Sequence, residues 1–272
     1  MDLRQLALGA LCITDPVRKA YAVQALWAQA ETLPIDPSLV LNEPEPGNLP
    51  GRPERPVLVR ADAVPTRSPF TPEGRAALMH AIAHIEFNAI NLALDAVFRF
   101  PGLPTAYYLD WLRVAAEEAK HHLMVVEHLA TMGHVYGDFE AHDGLWTMTW
   151  KTRGDFVARM GLVPRTLEAR GLDATPLIQA KLRRAGDLRG VEILDVILRE
   201  EVGHVAIGNH WYRWACEREG LDPVAHYRQL IVQYEAPRLR PPFNREARRQ
   251  AGFSDVELDA LEGLPEARPS VP

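Results

Sequence analysis

The chain has 272 residues, 47% of them hydrophobic and 24% charged, with a formal net charge of -6. That composition supplies a sizeable core and excludes wholesale disorder. The acidic balance argues against a dominant electrostatic grip on nucleic acid, which needs many phosphate-neutralising cations on one face. The two cysteines, Cys12 and Cys216, lie far apart and form no disulfide scaffold or zinc-thiolate pattern, so a reducing cytoplasm is the expected setting.

The opening Met1-Asp2-Leu3-Arg4 leads into a short apolar stretch, Leu6 to Ile13, with no small-residue cleavage site after it. An amphipathic helix is predicted there, broken near Pro16 and resumed through Lys19 to Ala30. No run of about 18 apolar residues occurs, and no membrane span is expected. From Pro34 to Pro72 there are ten prolines in 39 residues. Proline lacks an amide donor and restricts its predecessor, which rules out a helix. Val57, Leu58, Val59 and Phe70 suggest instead an extended strap lying on the main body.

Thr71-Pro72-Glu73 combines a capping threonine, a proline at the first helical position and an acid just after it. This signal starts a long helix that reaches about Phe100. Pro101 to Pro104 turn the chain into a second long helix, from about Thr105 to Met132, stopped by Gly133. An irregular, aromatic-rich stretch from Tyr136 to Trp150 precedes a third helix, roughly Lys151 to Arg170, which Gly171-Leu172-Asp173 ends. Thr175-Pro176 repeats the start signal for a short helix to about Ala185. A fourth long helix covers about Leu188 to Glu219 and ends at Gly220. Beyond it come a short helix near Val224–Tyr234, a loop around Pro237 to Pro242, and a helix capped by Ser254 with Glu257. With no alternating segment of useful length, the predicted fold is all-α. It is organised as an N-terminal helix and Pro-rich strap (1–70), a four-helix bundle (71–220) and a C-terminal helical extension (221–272).

Two copies of one motif carry the chemistry: Glu117-Glu118-Ala119-Lys120-His121 on the second long helix and Glu200-Glu201-Val202-Gly203-His204 on the fourth. Helix positions three apart share a face, so Glu118 with His121, and Glu201 with His204, can each offer an oxygen and a nitrogen to one ion. Both pairs lie within apolar stripes, among Trp111, Val114, Ala115, Met124 and Val125 in one case and Leu194, Ile197, Leu198, Val205 and Gly208 in the other. A buried carboxylate needs a partner or a proton. Glu86, among Met79, Ile82, Ala83, Ala89, Ile90 and Ala93, and Glu168, following Val157, Gly161 and Pro164, add two more such acids. Glu86 precedes Glu118 by 32 residues and Glu168 precedes Glu201 by 33. This is the order of acids and histidines found in two-metal carboxylate bundles.

On these residues, the segment from about Thr71 to Gly220 resembles the ferritin-like di-iron superfamily. The stretches Leu167-Glu168-Ala169-Arg170-Gly171-Leu172-Asp173 and Glu201-Val202-Gly203-His204-Val205-Ala206 are most similar to an uncharacterised bacterial ferritin-like family. They are similar more distantly to the tRNA-hydroxylase branch. The resemblance implies Glu86, Glu118, His121, Glu168, Glu201 and His204 as metal ligands and two iron ions as cofactor, with manganese as the alternative. Four carboxylates and two divalent cations sum to zero charge, so the cluster can be buried where its parts cannot.

The activity expected from the resemblance is oxygen-dependent oxidation or hydroxylation of a small organic substrate, with dioxygen as co-substrate and an external electron donor. Iron oxidation or storage, and manganese-dependent peroxide disproportionation, are the alternatives. A tRNA substrate has support only from the arginine-rich tail around Arg238, Arg240, Arg245, Arg248 and Arg249, for which an ion-paired surface is the plainer reading. A homodimer is left open. Glu117 and Glu200 are read as solvated or supporting acids. His80, His84, His122 and His128 are read as surface or hydrogen-bonded packing, and Trp111, Trp211, Tyr107 and Tyr108 as core or interface aromatics. For Asp195, two turns before His204 and slightly off its face, a hydrogen bond to a ligand histidine is only the secondary reading.

Overall fold

The computed structural model describes residues 1–44 and 47–263, and among them the fold is all-α. The chain divides into two compact units, the first comprising Met1–Thr149 and Ile178–Ile197, the second Trp150–Leu177 and the chain from Leu198 onward.

The first unit opens with α1 (Leu3–Leu11) and α2 (Pro16–Trp27), each capped by an aspartate, Asp2 and Asp15. Then come α3 (Pro72–Arg99), α4 (Thr105–Thr131) and α5 (Gly144–Lys151), the last formed almost wholly inside the stretch read as irregular, with its final two residues assigned to the second unit. The Thr71 hydroxyl accepts the Gly74 amide at 3.1 Å, so the cap-and-proline start of α3 forms as its sequence dictates. Gly133 at the end of α4 takes φ +78°, a left-handed stop that glycine adopts without strain. By length and composition α3 could cross a membrane, yet 89% of its most apolar window is buried inside the protein. It packs with α4 in a core that includes Met79, Ile82, Ala83, Val125, Leu129, Leu194 and Ile197.

Two buried basic side chains fasten the N-terminal helices. Arg4 donates to Val97 O (3.2 Å) and Phe98 O (2.8 Å), carbonyls at the end of α3 that the helix itself leaves unsatisfied. Lys19 donates to Leu11 O (3.0 Å), Gly51 O (2.8 Å) and Asn91 Oδ1. The strap is ordered where described, but its predicted apolar anchors do not hold it: Val57, Leu58 and Phe70 are exposed. Main-chain bonds do the work instead, Val59 N to Ala141 O (2.8 Å), Ala141 N to Val57 O (3.1 Å) and Gly51 N to Leu11 O (2.9 Å). A proline-rich segment that cannot pair its own amides satisfies the remaining ones against its neighbours.

The second unit contains α6 (Phe156–Leu162), a π-helical turn (Val163–Glu168), α9 (Pro223–Gln233), α10 (Arg245–Gln250) and α11 (Asp255–Glu262). Between them in chain order come α7 (Ala169–Arg184) and α8 (Leu188–Glu219), whose residues are divided between the units at Ile178 and Ile197. Ala169, Leu172 and Val205 share a core with Ala247, Ala251, Phe253 and Leu258, so the C-terminal helices are packed parts of this unit.

The third-helix reading needs correction. Gly171-Leu172-Asp173 does not end a helix and Thr175-Pro176 does not begin one, because α7 runs through both. Pro176 deprives the Leu172 carbonyl of its amide donor, and Asn244 Nδ2 donates to that carbonyl at 3.2 Å instead. Asp173, read as a stop, accepts from Arg248 Nη2 at 2.6 Å and from the Asn244 amide at 2.8 Å. The interruption that the sequence does give lies at Pro164, whose missing amide predicts a kink: there the helix widens into the π-turn and the Thr166 hydroxyl donates to Gly161 O at 2.7 Å.

Candidate metal centre

In the first unit, α3 contributes Glu86 and α4 contributes Glu118 and His121, one helical turn apart on the buried face. His121 Nδ1 lies 3.3 Å from Glu86 Oε2 and 3.3 Å from Glu118 Oε2. Each of the three residues offers a ligand atom within 4.8 Å of the others, a spacing that could hold a metal ion. All are essentially removed from water, with Glu118 and His121 at 0% exposure and Glu86 at 3%. Burial pushes the Glu86 carboxyl well above the usual carboxylate range, the adjacent Glu118 pushes it further, and His121 pulls back. Glu86 Oε2 receives no hydrogen bond among the described residues. Two acids and one imidazole packed this way without a cation have to keep a proton or bear a repulsion that apolar surroundings amplify.

In the second unit, Glu201 and His204 project from one face of α8, with His204 Nδ1 3.8 Å from Glu201 Oε2. Gly208 continues that face one turn on, and its missing side chain admits Pro164: a Cβ there would meet Pro164 Cβ at 2.5 Å. Glu168 closes the π-turn that Pro164 opens and is buried, 8% exposed. Thus the structure brings together Glu86, Glu118 and His121 in one unit, pairs Glu201 with His204 in the other, and buries Glu168 beside the π-turn of that second unit. The neighbouring acids Glu117 and Glu200 are half-buried beside Arg113 (4.0 Å) and Arg199 (3.9 Å).

The remaining candidates fall mostly on the plain side. His84 Nδ1 meets Tyr136 Oη at 2.8 Å, His122 Nδ1 meets Ala83 O at 2.9 Å, and His128 Nε2 meets Asp187 Oδ1 at 2.9 Å. His80 Nε2 accepts the Gly137 amide at 2.9 Å. Burial holds His80, His84 and His122 down at about 4, so these imidazoles are neutral. Trp111, Tyr107, Tyr108 and Trp211 are core aromatics. Asp195 also falls on the plain side: it is exposed and accepts from Gln179 Nε2 at 2.5 Å. In the arginine-rich tail, Arg245, Arg248 and Arg249 are paired with Asp259, Asp173 and Asp255. Sequence reasoning passed over Arg165, a fully buried cation on the π-turn; its one visible signal was an arginine three residues before a candidate ligand on an apolar face.

A family model described as protein of unknown function (DUF455) matches residues 12–259. An uncharacterized protein of Haemophilus influenzae is 52% identical over 219 residues, covering 78% of this chain and 76% of the relative. No solved structure matches.

Proposed function

The chain belongs to that family of proteins of unknown function, and on this premise we propose that it is a ferritin-like, two-metal carboxylate oxidoreductase that uses dioxygen to oxidise or hydroxylate an organic substrate. Glu86, Glu118, His121, Glu168, Glu201 and His204 hold two iron ions in this reading. The observation that carries it is the buried trio Glu86, Glu118 and His121, whose ligand atoms crowd within 4.8 Å of one another. The donor set fits: oxygen and imidazole ligands without sulfur suit iron or manganese, and a divalent cation cancels the charge of the trio's two carboxylates. Further support is in the sequence, where Glu168, Glu201 and His204 repeat the order of the trio, with a spacing of 33 residues between the two acids against 32.

Ferrous iron bound there would supply two electrons to dioxygen in each turnover, with an external electron donor restoring the ferrous state. The chain's own groups set the conditions for that. Glu86, whose carboxyl burial and the adjacent Glu118 hold above the usual carboxylate range, would release its proton on taking up a cation, and Glu118 would ligate beside it. His121 is held between two carboxylates, an arrangement that fixes its ring orientation. The apolar residues around the trio, among them Ala83, Ile90, Val114 and Val125, exclude water and strengthen each charge interaction inside.

Anaerobic titration with ferrous iron followed by oxygen tests the proposal. Uptake of two irons per chain and prompt dioxygen consumption are expected. Failure to take up iron, or iron uptake without oxygen consumption, contradicts it. A hollow oligomer storing many irons per chain would replace it with a storage role.

A further inference from the structure

Glu168 is bracketed by two buried arginines of the second unit. Before it, Arg165 is 2% exposed and donates Nη1 to Asn209 Oδ1 (2.5 Å) and Nη2 to Glu257 Oε1 (2.9 Å). Its guanidinium lies 4.6 Å from the Phe253 ring centre, 5.0 Å from Tyr227 and 5.1 Å from Tyr212. After it, Arg248 donates to the carbonyl of Ala169 at 3.2 Å and to Asp173 Oδ2 at 2.6 Å. Asn209 and Arg213 belong to α8, the helix of Glu201 and His204, and Glu257 also accepts from Arg213 at 2.9 Å. Glu257 in turn is fixed by the capping box of α11, where its Oε2 accepts the Ser254 amide at 2.7 Å. One network therefore joins the π-turn, α8 and the C-terminal helices.

A π-turn is a costly backbone form that persists where its surroundings over-determine it. Here Pro164 removes an amide, Gly208 makes room, and a planar guanidinium with fixed donor directions locks the turn to α8. A surface ion pair would not need to be wrapped in three aromatic rings. We propose that Arg165, clamped by Asn209 and Glu257, is a positioning residue that sets the register of Glu168 against Glu201 and His204. The inference rests on the reading of Glu168 as a ligand.

Cobalt(II) titration of the full chain, followed by calorimetry and visible absorption, tests it with three variants: Arg165→Lys, Glu257→Gln and Glu168→Gln. The native chain should bind two cobalt ions. In both network variants the more weakly held ion should bind about 10–100-fold more weakly, with altered visible bands. Glu168→Gln should show the same pattern, whereas a merely structural role would lower thermal stability and leave the bands unchanged. Native affinity and native bands in a folded Arg165→Lys and Glu257→Gln overturn the inference. Should Arg165→Lys fail to fold, Glu257→Gln, isosteric with the native side chain, decides alone. A native chain that binds no cobalt defeats the metal-centre reading itself, a result distinct from the failure of the clamp.

Discussion

A carboxyl group such as Glu86, desolvated and set beside Glu118, opposes folding of the metal-free chain. Its folded-state value is raised, so stability falls as pH climbs above the ordinary carboxylate range. Replacing it with the neutral amide of the same shape should therefore raise metal-free stability at pH 8 by about 1 kcal/mol or more while abolishing stabilisation by added metal. Urea denaturation of Glu86→Gln with and without ferrous iron checks both; a loss of metal-free stability would point to a structural carboxylate. Lys19 offers a second test away from the centre. Burial lowers its ammonium from 10.5 to about 7. Between those values the unfolded chain holds a proton that the folded chain has released, so stability rises with pH across that window. Lys19→Met should remove that rise, a difference on the order of a few kcal/mol between pH 7 and pH 10 in the unfolding free energy obtained from urea denaturation. Parallel slopes in the two proteins would contradict the assignment.

At the level of elements, the parts readable from sequence were those with local causes. The Thr71 cap, the glycine stops after α4 and α8, and the Ser254 capping box depend on a few adjacent residues, and they stand where the residues put them. Helix α7 was misread because its local signals are real but outvoted. Gly171, Thr175 and Pro176 would end a lone helix, yet Asn244, distant in the sequence, supplies the donor that keeps this one continuous. The apolar anchors of the strap were misread for a related reason, since main-chain bonds leave no trace in side-chain pattern. The π-turn gives the sharpest element-level prediction. Gly208→Ala would place a methyl 2.5 Å from Pro164 Cβ, so the turn must move; a loss of about 1–3 kcal/mol is expected, together with weakened metal binding. Native melting temperature and native metal uptake in that variant would show that the close approach is not needed.

Across the whole molecule, the acids and histidines were legible because burying charge on apolar faces is improbable without a reason, and the structure does bury Glu86, Glu118, His121, Glu168, Glu201 and His204. The buried network around the π-turn was not legible. Arg165, Asn209 and Glu257 are scattered over about ninety residues, and only the fold shows that they meet. The same physics predicts that metal stabilises the folded chain, since ions binding the native state alone raise its stability by mass action. The most direct measurement is anomalous diffraction at the iron edge from crystals grown with ferrous iron. The account predicts two scatterers, with Glu86, Glu118 and His121 at ligand distance, about 2 Å, from at least one of them. Density showing those three side chains hydrogen-bonded to one another in iron-soaked crystals, with no scatterer among them, would contradict it.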